Sequence, residues 1–152
     1  MPTTFQLSSK LTSGPYAGDY NWNTGLNWDS GTVPANGANL VLPTLSTAYT
    51  SVDDIPFIDG VTLSIGNSVT LIVAAGETDV ENMNAFGTNS LYRVDGTAIV
   101  SIASGLGGTY AVNGPTALLN ITGFNGIGTF DLFGGTLSFG SNANLRVRPE
   151  TS

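Results

Sequence analysis

Histidine and cysteine are both missing from the 152 residues of this chain. Their absence removes thiol and imidazole nucleophiles, the commonest general base, disulfides, and the zinc, haem and iron–sulfur sites built on those ligands. Positive charge is scarce as well: Lys10, Arg93, Arg146 and Arg148 stand against 11 acidic residues, a net charge of −7. Four cations cannot neutralise a run of phosphates, so nucleic acid and anionic membrane surfaces are poor partners. The longest charge-free stretch, residues 96–130, is broken by Gly, Pro and Asn before it reaches the roughly 20 apolar residues of a membrane helix. The strand-like segments are also shorter than the about 9 to 11 residues a membrane barrel uses. The first ten residues hold no basic segment followed by an apolar one, so they do not read as a secretory signal, and the expected site of synthesis is a cytoplasm.

What is present is glycine and strand-forming residues. Charged residues make up 10% of the chain, against about 25% in ordinary soluble domains. Twenty glycines and an apolar content of 41% complete the balance of a packed strand-and-turn protein. No window sustains a helical apolar period without a Gly or Pro in it, whereas short alternating or β-branched segments are plentiful. They are Val61–Ile65, Val69–Val73, Ala98–Ile102, Thr109–Val112, Ala117–Ile121, Thr129–Leu132 and Leu137–Phe139.

These segments recur. A unit begins at Thr97 and ends at Tyr110-Ala-Val-Asn-Gly114; the next begins at Thr116, 19 residues on, and ends at Phe130-Asp-Leu-Phe-Gly134; a third begins at Thr136. The junction glycines Gly60, Gly76, Gly96, Gly114 and Gly134 are 16, 20, 18 and 20 residues apart. That period, with two or three short strands in each repeat, predicts an all-β chain folded as a β-solenoid (a right-handed β-helix) of 16–20 residues per coil. Glycine is expected at the corners, and Ile102, Val112, Ile121, Leu132 and Phe139 are expected to face inward. The segment from Gly76 to Ser90, rich in Asp, Glu and Asn, is expected to leave the coil as an excursion. The expected divisions are an extended N-terminal arm (1–19), a Trp-containing cap (20–43), the solenoid (44–148) and a tail (149–152).

Residues 20–42 include Tyr20, Trp22, Asn27-Trp28, Gly31-Thr-Val33-Pro34, Gly37 and the apolar Leu40-Val-Leu42. This opening resembles the start of bacterial β-solenoid passengers related to autotransporter adhesins. The resemblance implies a solenoid behind it and leaves function open, because such openings cap solenoids of unrelated role. The residues themselves suit a loop folded over the open end of the first coil, with Trp22 and Trp28 covering it; the alternative is an indole platform for stacking sugars. The arm is expected to be disordered or ordered by another chain. Arg146 and Arg148, half of the cations, form either a solvated terminus or an anchor for an acidic neighbour.

Two groups of carboxylates are candidates for chemistry. Asp53 and Asp54 are expected to be solvated loop charges. Glu77, Asp79 and Glu81 alternate, which puts them on one strand face as a weak calcium candidate, with a solvent-facing acidic segment as the default. No catalytic residue and no cofactor is expected. The composition points to a non-enzymatic structural protein, in particular a trimeric decoration or cement protein on a bacteriophage capsid, located in the virion after synthesis in the host cytoplasm. Its partners would be capsid protein and like subunits. An extracellular adhesin or matrix-filament subunit and a carbohydrate-binding module are the alternatives.

Overall fold

The structure, a computed structural model, describes residues 1–105, 107–123 and 128–140. Among these are thirteen strands: β1 (Thr3–Thr4), β2 (Tyr20–Asn21), β3 (Asn39–Leu42), β4 (Tyr49–Asp53), β5 (Phe57–Ile65), β6 (Val69–Val73), β7 (Glu77–Phe86), β8 (Leu91–Asp95), β9 (Ile99–Ile102), β10 (Thr109–Asn113), β11 (Leu118–Ile121), β12 (Thr129–Leu132) and β13 (Thr136–Phe139). Even-numbered strands stack in one six-stranded sheet, β2-β4-β6-β8-β10-β12, and odd-numbered strands in a seven-stranded sheet, β1-β3-β5-β7-β9-β11-β13. Every pairing between these strands is parallel. Each turn of chain therefore lays one strand on each sheet, and the fold is a β-solenoid with two strands per coil.

In-register pairing turns the sequence repeat into columns of side chains. On the even sheet Ser51, Leu71, Tyr92, Tyr110 and Phe130 form one column, and Asp53, Val73, Val94, Val112 and Leu132 form the next. On the odd sheet Thr78, Val100, Leu119 and Leu137 line up beside Val80, Ile102, Ile121 and Phe139. The apolar columns face each other and form one core. Tyr92, Tyr110 and Phe130 stack with ring centroids 5.7 and 5.4 Å apart, close to the spacing of the strands that carry them. The five junction glycines all have positive φ; Gly76, Gly96, Gly114 and Gly134 flank strands at corners, whereas Gly60, expected at a corner, lies inside β5 where the register against β7 shifts. At Gly114 the need is also steric, since a Cβ there would lie 2.8 Å from the backbone nitrogen of Gly96 on the rung below.

Several expectations are corrected. The segment from Gly76 to Ser90 is no excursion: it contains β7, the longest strand, paired to β5 and β9. Its acidic and amide residues are the solvent-facing half of an alternating strand, with Thr78, Val80 and Met83 buried between them, and register shifts against β5 absorb its extra length. The N-terminal arm is ordered by its own chain. β1 adds to the edge of the odd sheet and Phe5 enters the core. The stacked ladders thus begin well before residue 44, where the solenoid was expected to start. Ile102, Val112 and Ile121 are buried as expected, but Leu132 is 54% exposed and Phe139 only half-buried. Both lie on the last described rung, where, among the described residues, a neighbouring strand packs on one side alone.

Candidate functional site

The first coil is closed by aromatic side chains. Trp22 and Trp28 are fully buried, 5.4 Å apart edge to face, and Phe5 packs edge-on to Trp28 at 5.0 Å. Trp22 Nε1 donates to Ser51 Oγ at 2.7 Å and Trp28 Nε1 to the Trp22 carbonyl at 2.9 Å, so neither indole N–H is left unpaired in the core. Indoles held in this way have no free face for a sugar, which removes the stacking platform. Tyr20 packs against the same cluster, half-buried, with the Lys10 ammonium 5.7 Å from its ring centroid.

Asn27, between the two tryptophans, is a structural residue that reading the sequence passed over. It is fully buried; its Oδ1 accepts the N–H groups of Ser8 and Ser9, and its Nδ2 donates to the carbonyls of Ser9 and Asn21. One amide thus ties the N-terminal segment to the first coil. Its signal was the Asn-Trp pair itself, whose asparagine had no assigned role.

The segment that follows folds back on itself, with Leu11 N–H donating to the Asp19 carbonyl and Gly18 N–H to that of Leu11. From this turn the Tyr16 hydroxyl reaches Asp95 at 2.7 Å. Asp95 also takes both Nε and Nη2 of Arg93, at 2.7 and 2.9 Å. Partial burial, then the Asp95 carboxylate, push the Tyr16 phenol up to about 12. The turn starts beside β2 and ends on β8, three rungs or about 14 Å away. It therefore crosses the outer face of the even sheet over Val52 and Ile72, whose outward side chains are buried.

Asp53 was expected in a loop and is instead the last residue of β4, fully buried. Thr78 Oγ1 donates to one carboxylate oxygen at 2.6 Å and the Ile55 N–H to the other at 3.2 Å. Burial raises its pKa to about 7, an effect the two hydrogen bonds oppose and the neighbouring Asp54 charge reinforces. Asp54 itself accepts the Asn21 side-chain amide and the Asn23 N–H.

Glu77, Asp79 and Glu81 do share the outer face of β7, as their alternation predicted. Asp59, Asp79 and Glu81 line a groove of about 320 Å³ with Ser101 and Thr122 beside them and Val80 and Ala103 in its wall. Partial burial, then the charges of Glu77 and Asp59, raise the pKa of Asp79. Among the described residues, no three carboxylates form a group that could hold a metal ion. Arg146 and Arg148 lie outside the described residues. At the carboxy-terminal end of the even sheet Leu132 and Phe133 are 54% and 70% exposed. The chain matches no known protein family, no curated protein and no solved structure.

Proposed function

We propose that this chain is a non-enzymatic structural protein that works through surface contact, and specifically a decoration or cement protein on a bacteriophage shell, assembled there as a homo-oligomer such as a trimer. The observation that carries the reading is a pair of consecutive large apolar residues, Leu132 and Phe133, that are 54% and 70% exposed on the last described rung. Leu26 and Phe57 are exposed as well, but neither has an exposed large apolar neighbour in the chain. Adjacent large apolar side chains left in solvent are what a contact surface offers, and burying them contributes roughly 25 cal/mol per Å² before association costs. Kinship with autotransporter-type passengers, carried by Trp22, Asn27-Trp28 and Gly31-Thr-Val33-Pro34, belongs to the same proposal as a shared way of opening a solenoid. Purified virions should contain the chain, and capsids assembled without it should disassemble at lower temperature; its absence from virions, or capsids equally stable without it, refutes the reading.

The second reading is an extracellular adhesin or filament subunit joined end to end by strand addition. It is favoured by the same carboxy-terminal rung, where β12 and β13 have no partner strand on their far side among the described residues. Growth of pure protein into filaments, measured by native mass against concentration, selects this reading over the first.

A further inference from the structure

Three Asn-Gly pairs occur in the sequence: Asn36–Gly37, Asn113–Gly114 and, outside the described residues, Asn125–Gly126. Asn-Gly is the dipeptide most open to cyclisation, because glycine has no Cβ to keep its backbone nitrogen from the asparagine Cγ. Whether a given pair reacts depends on two groups: the glycine N–H must be free to lose its proton, and the asparagine amide must be free to rotate toward it.

The fold treats the two described pairs oppositely. At the first, Gly37 N–H donates to the Asp59 carbonyl at 2.8 Å, and Asn36 Oδ1 accepts the Asp59 N–H at 3.0 Å. Both reacting groups are held apart by hydrogen bonds to one residue of the next rung. At the second, Asn113 ends β10 with its side chain exposed, and among the described residues neither its amide nor the Gly114 N–H has a hydrogen-bond partner.

We infer that Asn113 is a spontaneous modification site at which the folded protein deamidates. The deprotonated Gly114 nitrogen attacks Asn113 Cγ; the N–Cγ bond forms, the Cγ–Nδ2 bond breaks and ammonia leaves. Water then opens the succinimide at either carbonyl, giving an aspartyl or an isoaspartyl residue, so that the net change is amide plus water to carboxylate plus ammonium. Either product disturbs this corner. Asn113 pairs in register with Asp95, so a new carboxylate sits one rung from the charge that holds Arg93 and Tyr16. The isoaspartyl form also lengthens the main chain just before Gly114, which packs closely on Gly96. The site is thus a built-in ageing point that loosens the β10–β11 corner.

The test is peptide mapping by mass spectrometry after incubating the full chain in mildly alkaline buffer, folded and in denaturant. The two hydrogen bonds present at Asn36 and absent at Asn113 convert to a roughly tenfold or larger rate difference in the folded protein. In denaturant the two sites should react alike. Asn113 reacting no faster than Asn36 in the folded chain, or an equal difference surviving in denaturant, overturns the inference. An Asn113→Asp variant should melt lower than the parent, and much less so when Asp95 is also changed to Asn.

Discussion

Tyr16 and Asp95 are 79 positions apart in the chain and hydrogen-bonded at 2.7 Å. Through that contact the amino-terminal turn crosses three rungs of the even sheet and is held at its far end by a carboxylate already occupied by Arg93. A hydrogen bond to a charged acceptor is worth about 1.5–3 kcal/mol when shielded, and its partly exposed setting lowers this to about 1 kcal/mol. Tyr16→Phe should therefore lower the melting temperature by about 2–4 °C. It should also speed proteolysis within residues 11–19; cleavage there at the parental rate would mean that the contact does not hold the turn down.

Asp53 makes stability depend on pH in a direction opposite to that of a salt-bridged carboxylate. Burial raises its folded pKa from 3.8 to about 7, so between those values the folded chain holds a proton that the unfolded chain releases. The stabilisation is complete below the unfolded value, declines as pH rises through about 7, and is absent above it. The loss is of order 2–4 kcal/mol. Asp53→Asn, which retains the shape and can still pair with Thr78, should flatten this dependence and be more stable than the parent at pH 8. Denaturation midpoints of both proteins measured across pH 4 to 8 check it; parallel curves would refute the assignment.

The Tyr92 hydroxyl is fully buried and, among the described residues, has no hydrogen-bond partner. Burial comes first, with the Asp53 charge behind it, in keeping this phenol protonated. Tyr92→Phe deletes the unsatisfied group and leaves the ring in its stack, so it should stabilise the protein by about 1 kcal/mol. A loss of stability on urea titration would show that the hydroxyl has a partner in solution.

Phe133 is 70% exposed, so replacing it with a polar residue should change stability by no more than about 0.5 kcal/mol, whereas Leu132 sits over Val112 in the inward column and is left unchanged. The single change Phe133→Ser should weaken attachment to capsids or self-association, measured by co-sedimentation and native mass. Attachment and self-association at the parental level would remove Phe133 from the contact surface.

The repeat of apolar strands and junction glycines was legible in the sequence because both obey short-range rules. A corner needs positive φ, and a strand with one face in the core alternates. Those two constraints set the solenoid and most of the inward positions, Ile102, Val112 and Ile121 among them. What lies across rungs was not legible. Asp53 and Thr78, 25 residues apart, meet only because two sheets close around one core, and nothing near Asp53 in the chain marks it as buried. The acidic strand β7 looked like a loop because its solvent face dominates its composition, and only pairing on both sides makes it a strand. Tyr16 reaches Asp95 because stacking brings rungs within about 5 Å of one another whatever their separation along the chain. Local conformation was therefore written in the residues themselves, while burial, charge state and the order of the amino-terminal segment arose from which rungs became neighbours.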